Sequence, residues 1–544
     1  MTDSTPPAST TDVAAPVPDD DRITADILKV AGVVVLGAIM SILDVTVVNV
    51  ALPTFQTELS SGNEPLAYST VAWTATAYML ALAAVIPLTG WAADRFGTKR
   101  LYMTAIGLFT LGSVLCAVAW NIETLIAFRV VQGLGGGMLM PLGMTIMTRA
   151  AGPHRMGRLM AILGIPMLLG PIMGPILGGV IIDAASWHWI FLINLPIGLA
   201  ALVYAGRVLP RDHAEPSERL DVRGMLMMSP GLALLLFGVS SIPETGTVAA
   251  VRVLVPGICG VLLIVAFVLY SFRPEHPLLD LRLFANRNLA VATITMFLFA
   301  GAFFGALLLV PTYFQQVRGE SVLMAGLLVA PQGLGAMLTM PIAGTLVDRM
   351  PVGRIVPFGL FGILVGLGGL SLSTDPSTSY WQICGFLFVM GLGMGATMMP
   401  IFTSALKTLK APDVARGSTL INVVQQVASA TGIATISVVL TNAMRSGAVL
   451  PGSEQLPGVD GGLTAAQLAA SAQTSQGEQL VAALRVPAEV LQQGVVDLAD
   501  AFQRSFWVAL AVLVATIVPV AFLPRRREAA RLAEDEGRPP VVVH

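Results

Sequence analysis

The chain has 544 residues, of which 55% are hydrophobic and only 12% are charged. Soluble domains carry about 25% charged residues, so this composition excludes an ordinary soluble protein. The net charge of -2 gives no global field that would attract nucleic acid. Residues 1–29, which begin with a stretch rich in Pro, Thr, Ser and Asp, predict a disordered cytoplasmic tail ahead of the first apolar segment.

Apolar windows of about twenty residues, the length that crosses a bilayer, follow one another along the rest of the chain. Fourteen such windows predict fourteen membrane-spanning helices. They lie at 30–52, 71–93, 101–119, 123–147, 158–181, 188–207, 222–242, 250–271, 289–314, 322–347, 354–373, 378–402, 417–442 and 506–524. The even number places both termini on one side of the membrane.

The distribution of Lys and Arg predicts which side that is. With the amino terminus inside, 25 of the 31 basic residues fall in or next to cytoplasmic segments, five fall on the other side, and Arg129 alone lies well inside a span, away from its ends. Positively charged loops stay in the cytoplasm. We therefore expect a multi-pass protein of the cytoplasmic (inner) membrane, with both termini cytoplasmic and membrane lipid around it.

An internal repeat constrains the fold further. The segment GWAADRFGTKR at 90–100 recurs as GTLVDRMPVGR at 344–354, and GLGGG from Gly133 recurs as GLGMG from Gly391. These offsets of 254 and 258 residues match the second helix with the tenth and the fourth with the twelfth. Two six-helix halves would repeat at six, so two extra helices must lie between the halves.

The repeat gives an all-α membrane protein made of two six-helix bundles with two inserted helices. The predicted units are an amino-terminal bundle at 30–210, inserted linker helices at 211–280, carboxy-terminal helices nine to thirteen at 281–442, an extracytoplasmic loop at 443–505, the last helix at 506–524 and a cytoplasmic tail at 525–544. Parts of the loop have helical spacing. The loop is either a solvated connector or a lid or partner surface on which a periplasmic or envelope protein docks.

Asp44 is the most informative residue of the first predicted span. A carboxylate at that depth costs about 2.5–3.5 kcal/mol on insertion scales, and such a residue usually has a task. We interpret Asp44 as a group that exchanges a proton between the two aqueous sides. The alternative is a carboxylate that merely pairs with a neighbour and locks helices together.

Arg129 is the natural partner of Asp44, because it is the single basic residue within a span, and Gln132 lies three residues further on the same helix face. At the repeat offset of 258, these positions hold Leu387 and Met390. The glycine spacing is thus present in both halves, whereas the polar residues at these two positions are present in one half. We interpret the glycines as packing positions and Arg129 as functional.

Two further segments predict close contacts between helices. The first segment lies around the inner end of the second helix. We weigh a gating role for its residues against the alternative that their charges only set the topology. These residues are Gly90, Asp94, Arg95, Gly97 and Arg100. In the fifth helix, glycines recur every four residues and form a flat strip, with prolines at the same spacing. The residues of this second motif are Gly170, Gly174, Pro175, Gly178 and Gly179.

Polar residues within spans are candidates for a substrate cavity, because amides in a membrane helix seek the protein interior. The candidates are Asn49, Gln132, Asn422, Gln425 and Gln426. Methionines also cluster in the fourth and twelfth helices, where flexible thioethers suit either core packing or a surface that accepts many shapes. These methionines are Met138, Met140, Met144, Met147, Met394, Met398 and Met399.

Enzyme chemistry and nucleotide hydrolysis find no support in the sequence. None of the four lysines follows a glycine, which excludes a Walker A motif, and neither HExxH nor GxSxG occurs. The three cysteines have no metal-ligand spacing. We expect no cofactor, no metal and no enzyme activity, so the energy for any work that the protein does must come from a source other than nucleotide hydrolysis.

Taken together, these motifs resemble the major facilitator superfamily, and specifically its fourteen-span drug:proton antiporters of the QacA/EmrB type. The resemblance covers about residues 25–525. LDVTVVNVALP resembles the helix-one signature of that subgroup, GWAADRFGTKR resembles motif A, RVVQGLGGG resembles motif B and GPIMGPILGG resembles the antiporter motif C. Thr98 stands where motif A commonly has a basic residue.

The resemblance implies the major facilitator fold and a secondary active transporter that works by alternating access, with the proton gradient as its energy source. It implies that Asp44 and Arg129 are the coupling pair. It also implies a monomer that exports amphipathic, often cationic, small molecules, the property behind multidrug efflux and antibiotic resistance. The tenth span, 322–347, contains no carboxylate. That absence argues against export of dications, for which some relatives use additional membrane acids.

Other functions stay open at this point. The same scaffold is compatible with export of a lipid, a glycolipid or an endogenous metabolite. Uptake is opposed by the motif C resemblance. A non-transporting receptor or scaffold predicts that Asp44→Asn has no consequence, and it leaves the asymmetry at Arg129 unexplained.

Overall fold

The computed structural model describes residues 24–60, 66, 68–210, 220–242, 249–410, 413–447, 449–450, 463–471 and 486–526. These residues form eighteen α-helices. They are α1 Ala25–Glu58, α2 Tyr68–Val85, α3 Thr89–Phe96, α4 Thr98–Ala117, α5 Ile122–Ala184, α6 His188–Leu192, α7 Asn194–Val208, α8 Val222–Ser240, α9 Val251–Ser271, α10 Arg287–Gln316, α11 Val322–Arg349, α12 Val352–Ser371, α13 Tyr380–Gly395, α14 Met398–Lys407, α15 Val414–Arg445, α16 Ala465–Ser471, α17 Ala488–Ala515 and α18 Ile517–Ala521.

Thirteen segments within the described residues are helical, long and apolar enough to cross a membrane. The prediction of an all-helical membrane protein is therefore confirmed. The first of these segments begins at Ala25, so residues 25–29 of the predicted tail are helical instead. The remaining predicted span, at 158–181, lies inside α5.

α5 is 63 residues long and holds both the fourth and the fifth predicted spans. Arg129 and Gly174 are 45 residues apart on it, a distance of about 68 Å along a straight helix. Yet Arg129 contacts Asp44 and Gly174 contacts Thr46, only two positions away on α1. α5 therefore turns back on itself, and we call residues 122–147 its first leg and 158–184 its second leg.

The second predicted span is divided in the structure. α2 ends at Val85, a 3-10 turn covers Ile86–Leu88, and α3 continues to Phe96. Pro87 lies in that turn, and a proline removes one backbone donor from the helical ladder. Gly97 then has φ of 87°, a conformation that favours glycine, and it separates α3 from α4.

The internal repeat reappears in the helix contacts. A Cβ added to Gly133 would lie 2.6 Å from the carbonyl oxygen of Tyr78, and one added to Gly391 would overlap the carbonyl oxygen of Gln332. Gly133 and Gly391 are 258 residues apart, and Tyr78 and Gln332 are 254 apart, which are the offsets of the sequence repeat. Both halves therefore use glycine to bring the same pair of helices into backbone contact.

The two inserted helices, α8 and α9, pack on each other and on one side of the bundle. Gly231 and Gly260 allow their backbones to approach closely. α8 contacts both α2 and α15, and Phe237 stacks on Trp73 of α2 with ring centroids 5.4 Å apart. The inserted pair thus touches both halves.

Beyond α15, part of the predicted loop is ordered around the start of α17. α15 continues to Arg445, and the Thr464 hydroxyl donates a hydrogen bond of 2.6 Å to the carbonyl oxygen of Met444. α17 begins at Ala488, eighteen residues before the predicted last span, and runs without a break into it. The loop sequences 451–462 and 472–485, and the predicted tail from residue 527, lie outside the described residues.

Candidate functional site

The candidate site is a buried polar cluster between α1, α2 and the first leg of α5. Asp44 has 3% of its surface exposed, Arg129 has 1% and Gln132 is fully buried. α1 is apolar on either side of Asp44, and the first leg of α5 carries Arg129 and Gln132 one helical turn apart. The sequence pattern therefore places all three side chains inside the amino-terminal half.

The Asp44 carboxylate accepts two hydrogen bonds within this cluster. One guanidinium nitrogen of Arg129 lies 2.5 Å from Oδ2, and the Gln132 amide nitrogen lies 2.7 Å from Oδ1. The same Arg129 nitrogen donates to the Gln132 amide oxygen at 2.8 Å. Each carboxylate oxygen thus has its own donor, and the amide of Gln132 closes a ring of three side chains.

α2 completes the surroundings of Arg129. Its Nε donates to the backbone carbonyl oxygen of Thr74 at 3.0 Å, and its guanidinium lies over the Tyr78 ring at 4.1 Å from the centroid. The hydroxyl of Ser41 lies 3.3 Å from the Tyr78 hydroxyl. Sequence reasoning missed Thr74 and Tyr78, because a backbone acceptor has no signature and a tyrosine in an apolar span usually reads as packing.

This arrangement has one chemical property that packing alone does not require. A buried carboxylate and a buried guanidinium neutralise each other, and each keeps further hydrogen bonds that offset part of its desolvation cost. Binding of one proton to Asp44 would remove the negative charge while leaving Arg129 held by Thr74 and Tyr78. Asp44 is therefore the group of this cluster at which a proton would bind.

The equivalent region of the carboxy-terminal half is apolar. Gly174 contacts Thr46 in the amino-terminal half, and Gly432 contacts Gly301 in the carboxy-terminal half. Thr46 and Gly301 therefore occupy equivalent places on the first helix of each half, 255 residues apart. The counterparts of the cluster are consequently Phe299 for Asp44, Leu387 for Arg129, Met390 for Gln132 and Gln332 for Tyr78. Among them only Gln332 is polar, and its amide oxygen has no hydrogen-bond partner.

Two residues of motif A, Gly90 and Asp94, lie where the two halves meet. The Asp94 carboxylate is 3.4 Å from Nε of Arg416 on α15 and 4.0 Å from a guanidinium nitrogen of Arg149. A Cβ added to Gly90 would lie 3.1 Å from the Thr419 hydroxyl oxygen. Motif A of one half therefore packs on a helix of the other half.

A second ion pair repeats this contact with the halves exchanged. The Asp348 carboxylate accepts from Nε of Arg158 at 3.2 Å and from the backbone N–H of Gly157 at 2.9 Å. Asp348 corresponds to Asp94 at offset 254, and Arg158 corresponds to Arg416 at offset 258. We call the end of the bundle with these two ion pairs the basic end.

Sequence reasoning assigned Arg158 and Arg416 only to the charges that set topology. The repeat offsets were a signal that would have paired them with Asp348 and Asp94.

Three other predicted gate residues occupy different positions. Gly97 forms the turn between α3 and α4, and Arg100 is exposed. Arg95 is half-buried. Neighbouring Lys99 donates to the carbonyl oxygen of Gly206 at 2.8 Å, at the end of α7.

The glycine strip of α5 faces α1. A Cβ added to Gly170 would overlap Ile42, one added to Gly174 would overlap Thr46, and one added to Gly178 would lie 3.3 Å from Val47. Gly179 faces open space within 4 Å. The side chain of Pro175 lies outside the described part of the structure. The strip is thus the surface on which α1 rests against the second leg of α5.

The predicted cavity residues are not all in one place. Gln132 belongs to the buried cluster, and Asn49 is exposed. On α15, Asn422 and Gln425 are buried and Gln426 is half-buried. The Asn422 amide donates to the sulfur of Met144 on α5 at 3.3 Å, across the boundary between the halves.

The comparisons with known proteins agree with this geometry. Residues 34–433 match the sequence model of the family described as Major Facilitator Superfamily. The chain belongs to the major facilitator superfamily. One relative is the Multidrug resistance protein B homolog of Mycobacterium tuberculosis, 48% identical over 515 residues that cover 94% of this chain and 93% of that protein. Another is the Multidrug export protein EmrB of Escherichia coli K12, 29% identical over 408 residues, or 75% and 79% of the two chains.

Solved structures show the same fold at low sequence identity. The human organic anion transporter MFSD10 aligns with a TM-score of 0.57 at 15% identity, covering 92% of this chain and all of that one. The proton:xylose symporter XylE aligns with a TM-score of 0.55 at 14% identity, covering 90% and 94%. The major facilitator fold and the resemblance to the EmrB type are confirmed. The chain is a multi-pass membrane transporter.

Proposed function

We propose that this major facilitator protein is a proton-coupled antiporter that exports amphipathic or cationic drugs across the cytoplasmic membrane by alternating access. The observation that carries the proposal is the buried cluster of Asp44, Arg129 and Gln132, which exists in one half only. The names of the relatives support multidrug export. The proton gradient is the energy source, and no cofactor takes part.

The proposed coupling works through α1, because α1 contacts both legs of α5. Asp44 ties it to the first leg by charge, and Thr46 rests on the glycine strip of the second leg. A proton on Asp44 removes the ionic tie and leaves the flat glycine contact, along which α1 is free to shift. Release of that proton restores the tie. The proton thus changes the preferred position of α1, and the position of α1 changes the preferred conformation of the amino-terminal half.

The position of the basic end supports an outward-facing state. Both ion pairs between the halves are formed there, so this end is closed. Because positively charged segments stay in the cytoplasm, we place the basic end on the cytoplasmic side, with both termini inside the cell. Substrate would enter when these ion pairs break, and the protein would work as a monomer. An envelope partner would find its surface at the opposite end, around α16 and the start of α17.

The test is proton release from proteoliposomes, read with a pH-sensitive dye after addition of tetraphenylphosphonium or a panel of other lipophilic cations. We expect release from the wild type and none from Asp44→Asn. Asp375→Asn, which changes an exposed loop carboxylate at the opposite end, is the matched control and should behave as the wild type.

Two outcomes would contradict the proposal. Release from Asp44→Asn at the wild-type rate would show that Asp44 does not couple protons to substrate. If the wild type releases no protons with any compound, a lipid, glycolipid or endogenous metabolite becomes the candidate cargo.

A further inference from the structure

Behind the two ion pairs, methionines fill the boundary between the halves. Met144 of α5, Met340 of α11 and Met399 of α14 are each no more than 1% exposed. Met340 and Met399 belong to the carboxy-terminal half, and both reach Gly164 on the second leg of α5. Met144 belongs to the amino-terminal half and reaches Asn422 on α15. Thioethers from each half therefore insert into the other.

The two insertion points are equivalent by the internal repeat. Gly164 and Asn422 differ by 258 residues, the offset that relates α5 to its counterparts. A Cβ added to Gly164 would overlap the terminal methyl of Met340 and would lie 2.9 Å from Cγ of Met399. The absence of a side chain at Gly164 thus makes room for two methionines, while Asn422 offers its amide to one. Two equivalent positions accept the same kind of side chain from opposite directions.

Met144, Met340 and Met399, which we call the methionine layer, lie at a definite depth. Arg158 and Gly164 are six residues apart on α5, as are Arg416 and Asn422 on α15. Six residues of α-helix rise about 9 Å. The methionine layer therefore lies about 1.7 helical turns from the ion pairs, on the side of the bilayer interior. Separation of the ion pairs would uncover it.

Separation would leave a surface of a particular chemistry. The thioethers are unbranched and polarizable, and they form favourable contacts with aromatic rings. The Ser418 hydroxyl now donates to the carbonyl oxygen of Pro141 at 2.9 Å, and the Asn422 amide contacts Met144. Both contacts cross the boundary, so both are lost when the halves part. A mostly apolar wall with a few polar groups is the usual composition of a small-molecule site.

We propose that Met144, Met340 and Met399, with Asn422 and Ser418, form a binding surface for aromatic amphipathic compounds that is exposed when the halves separate at the basic end. The proposal rests on alternating access, and it names the chemistry of the substrate on the cytoplasmic side. Unbranched side chains let the same atoms fill a dry boundary in one state and fit ligands of different shape in the other.

Methionine oxidation tests this surface without requiring transport. The purified full-length wild type and the variant Asp94→Asn with Asp348→Asn, in which both ion pairs are weakened, are treated with hydrogen peroxide. Oxidation of each methionine is followed by mass spectrometry with and without tetraphenylphosphonium. Met390 is the internal control, because it is 3% exposed and packs on Gly366 within the carboxy-terminal half.

We expect Met144, Met340 and Met399 to oxidise at least about tenfold faster in the variant, a factor that corresponds to about 1.4 kcal/mol of easier opening. Met390 should stay unchanged, and tetraphenylphosphonium should restore protection of the three. Faster oxidation without protection by the ligand would overturn the binding surface, and equal rates in both proteins would show that the boundary does not open there. If Met390 also oxidises faster, the double variant is unfolded, and Asp94→Asn alone replaces it.

Replacement of the thioethers gives a second measurement. Met144→Leu, Met340→Leu and Met399→Leu together conserve volume but remove flexibility and sulfur. The affinity of the ion-pair variant for tetraphenylphosphonium should fall about tenfold, as expected from loss of sulfur–aromatic contacts. Met390→Leu should leave the affinity unchanged. Equal affinity in both would overturn the role of the methionines, whatever Asp44→Asn does to proton release.

Discussion

The two halves of this transporter share their helix packing and differ in their chemistry. Gly133 and Gly391 make the same backbone contact in each half, whereas the neighbouring positions hold Asp44 and Arg129 in one half and Phe299 and Leu387 in the other. Phe299 and Leu387 are fully buried and satisfy the same packing. The fold therefore does not need an ion pair at this place, which fits the proposal that the pair couples protons to transport.

The strongest test of this comparison is to replace the polar cluster of the amino-terminal half by apolar residues like those of the carboxy-terminal half. The triple variant Asp44→Leu, Arg129→Leu and Gln132→Met imitates the apolar region, with Leu at position 44 in place of the larger Phe299 side chain. Its free energy of unfolding should stay within about 2 kcal/mol of the wild type, because replacing a whole buried ion pair by apolar groups is often neutral. Proton-driven export should fall below detection in the proteoliposome assay. Export at the wild-type rate would disprove the assignment of the cluster.

Removal of one partner alone should be worse for stability than removal of all three. Arg129→Leu leaves the Asp44 carboxylate buried without its counter-ion, and we expect the free energy of unfolding to fall by about 3–5 kcal/mol. Titration with SDS in mixed micelles, followed by tryptophan fluorescence, measures this change. Leu387→Met, at the equivalent position, should cost less than about 1.5 kcal/mol. Similar losses at both positions would mean that the pair is not buried as the structure places it.

The glycine strip allows a comparison within a single helix. Gly174→Ala should destabilise the protein by about 1–3 kcal/mol, because the added methyl overlaps Thr46 of α1. Gly179→Ala, five residues further on, meets no atom within 4 Å and should be neutral or stabilising by up to about 1 kcal/mol. The same SDS titration separates the two. Equal effects would argue against close contact between α1 and the second leg of α5.

The smallest expected effect is at Gln332, the one polar counterpart in the carboxy-terminal half. Its amide oxygen has no partner, and its amide nitrogen contacts the sulfur of Met394 at 3.2 Å. Gln332→Leu removes this unsatisfied group and should leave stability unchanged or raise it by up to about 1 kcal/mol. Export should be unaffected. A loss of export would place a second functional polar group in this half.

Sequence reasoning located most of the spans, because twenty-residue apolar runs and basic loops reflect the bilayer directly. It placed a break between residues 147 and 158, where α5 is assigned as helix throughout but reverses direction between its two legs. The segment TRAAGPHRMGR combines helix-forming Ala, Arg and Met with Gly152, Pro153 and Gly157, residue types that bend or end a helix. Sequence reasoning also began the last span at residue 506, although α17 starts at Ala488. At residue 506 hydropathy marked the edge of the apolar region and not the start of the helix.

The sequence by itself determined the membrane environment, the repeat and the two residues, Asp44 and Arg129, whose position in a span is costly. A charge in an apolar run is visible in one dimension because its cost comes from the bilayer. Only the tertiary structure decided which groups surround that pair and which atoms join the halves. Thr74 contributes a backbone carbonyl, and Arg158 finds Asp348 at a distance of 190 residues along the chain. Such contacts depend on how helices meet, which no local pattern records.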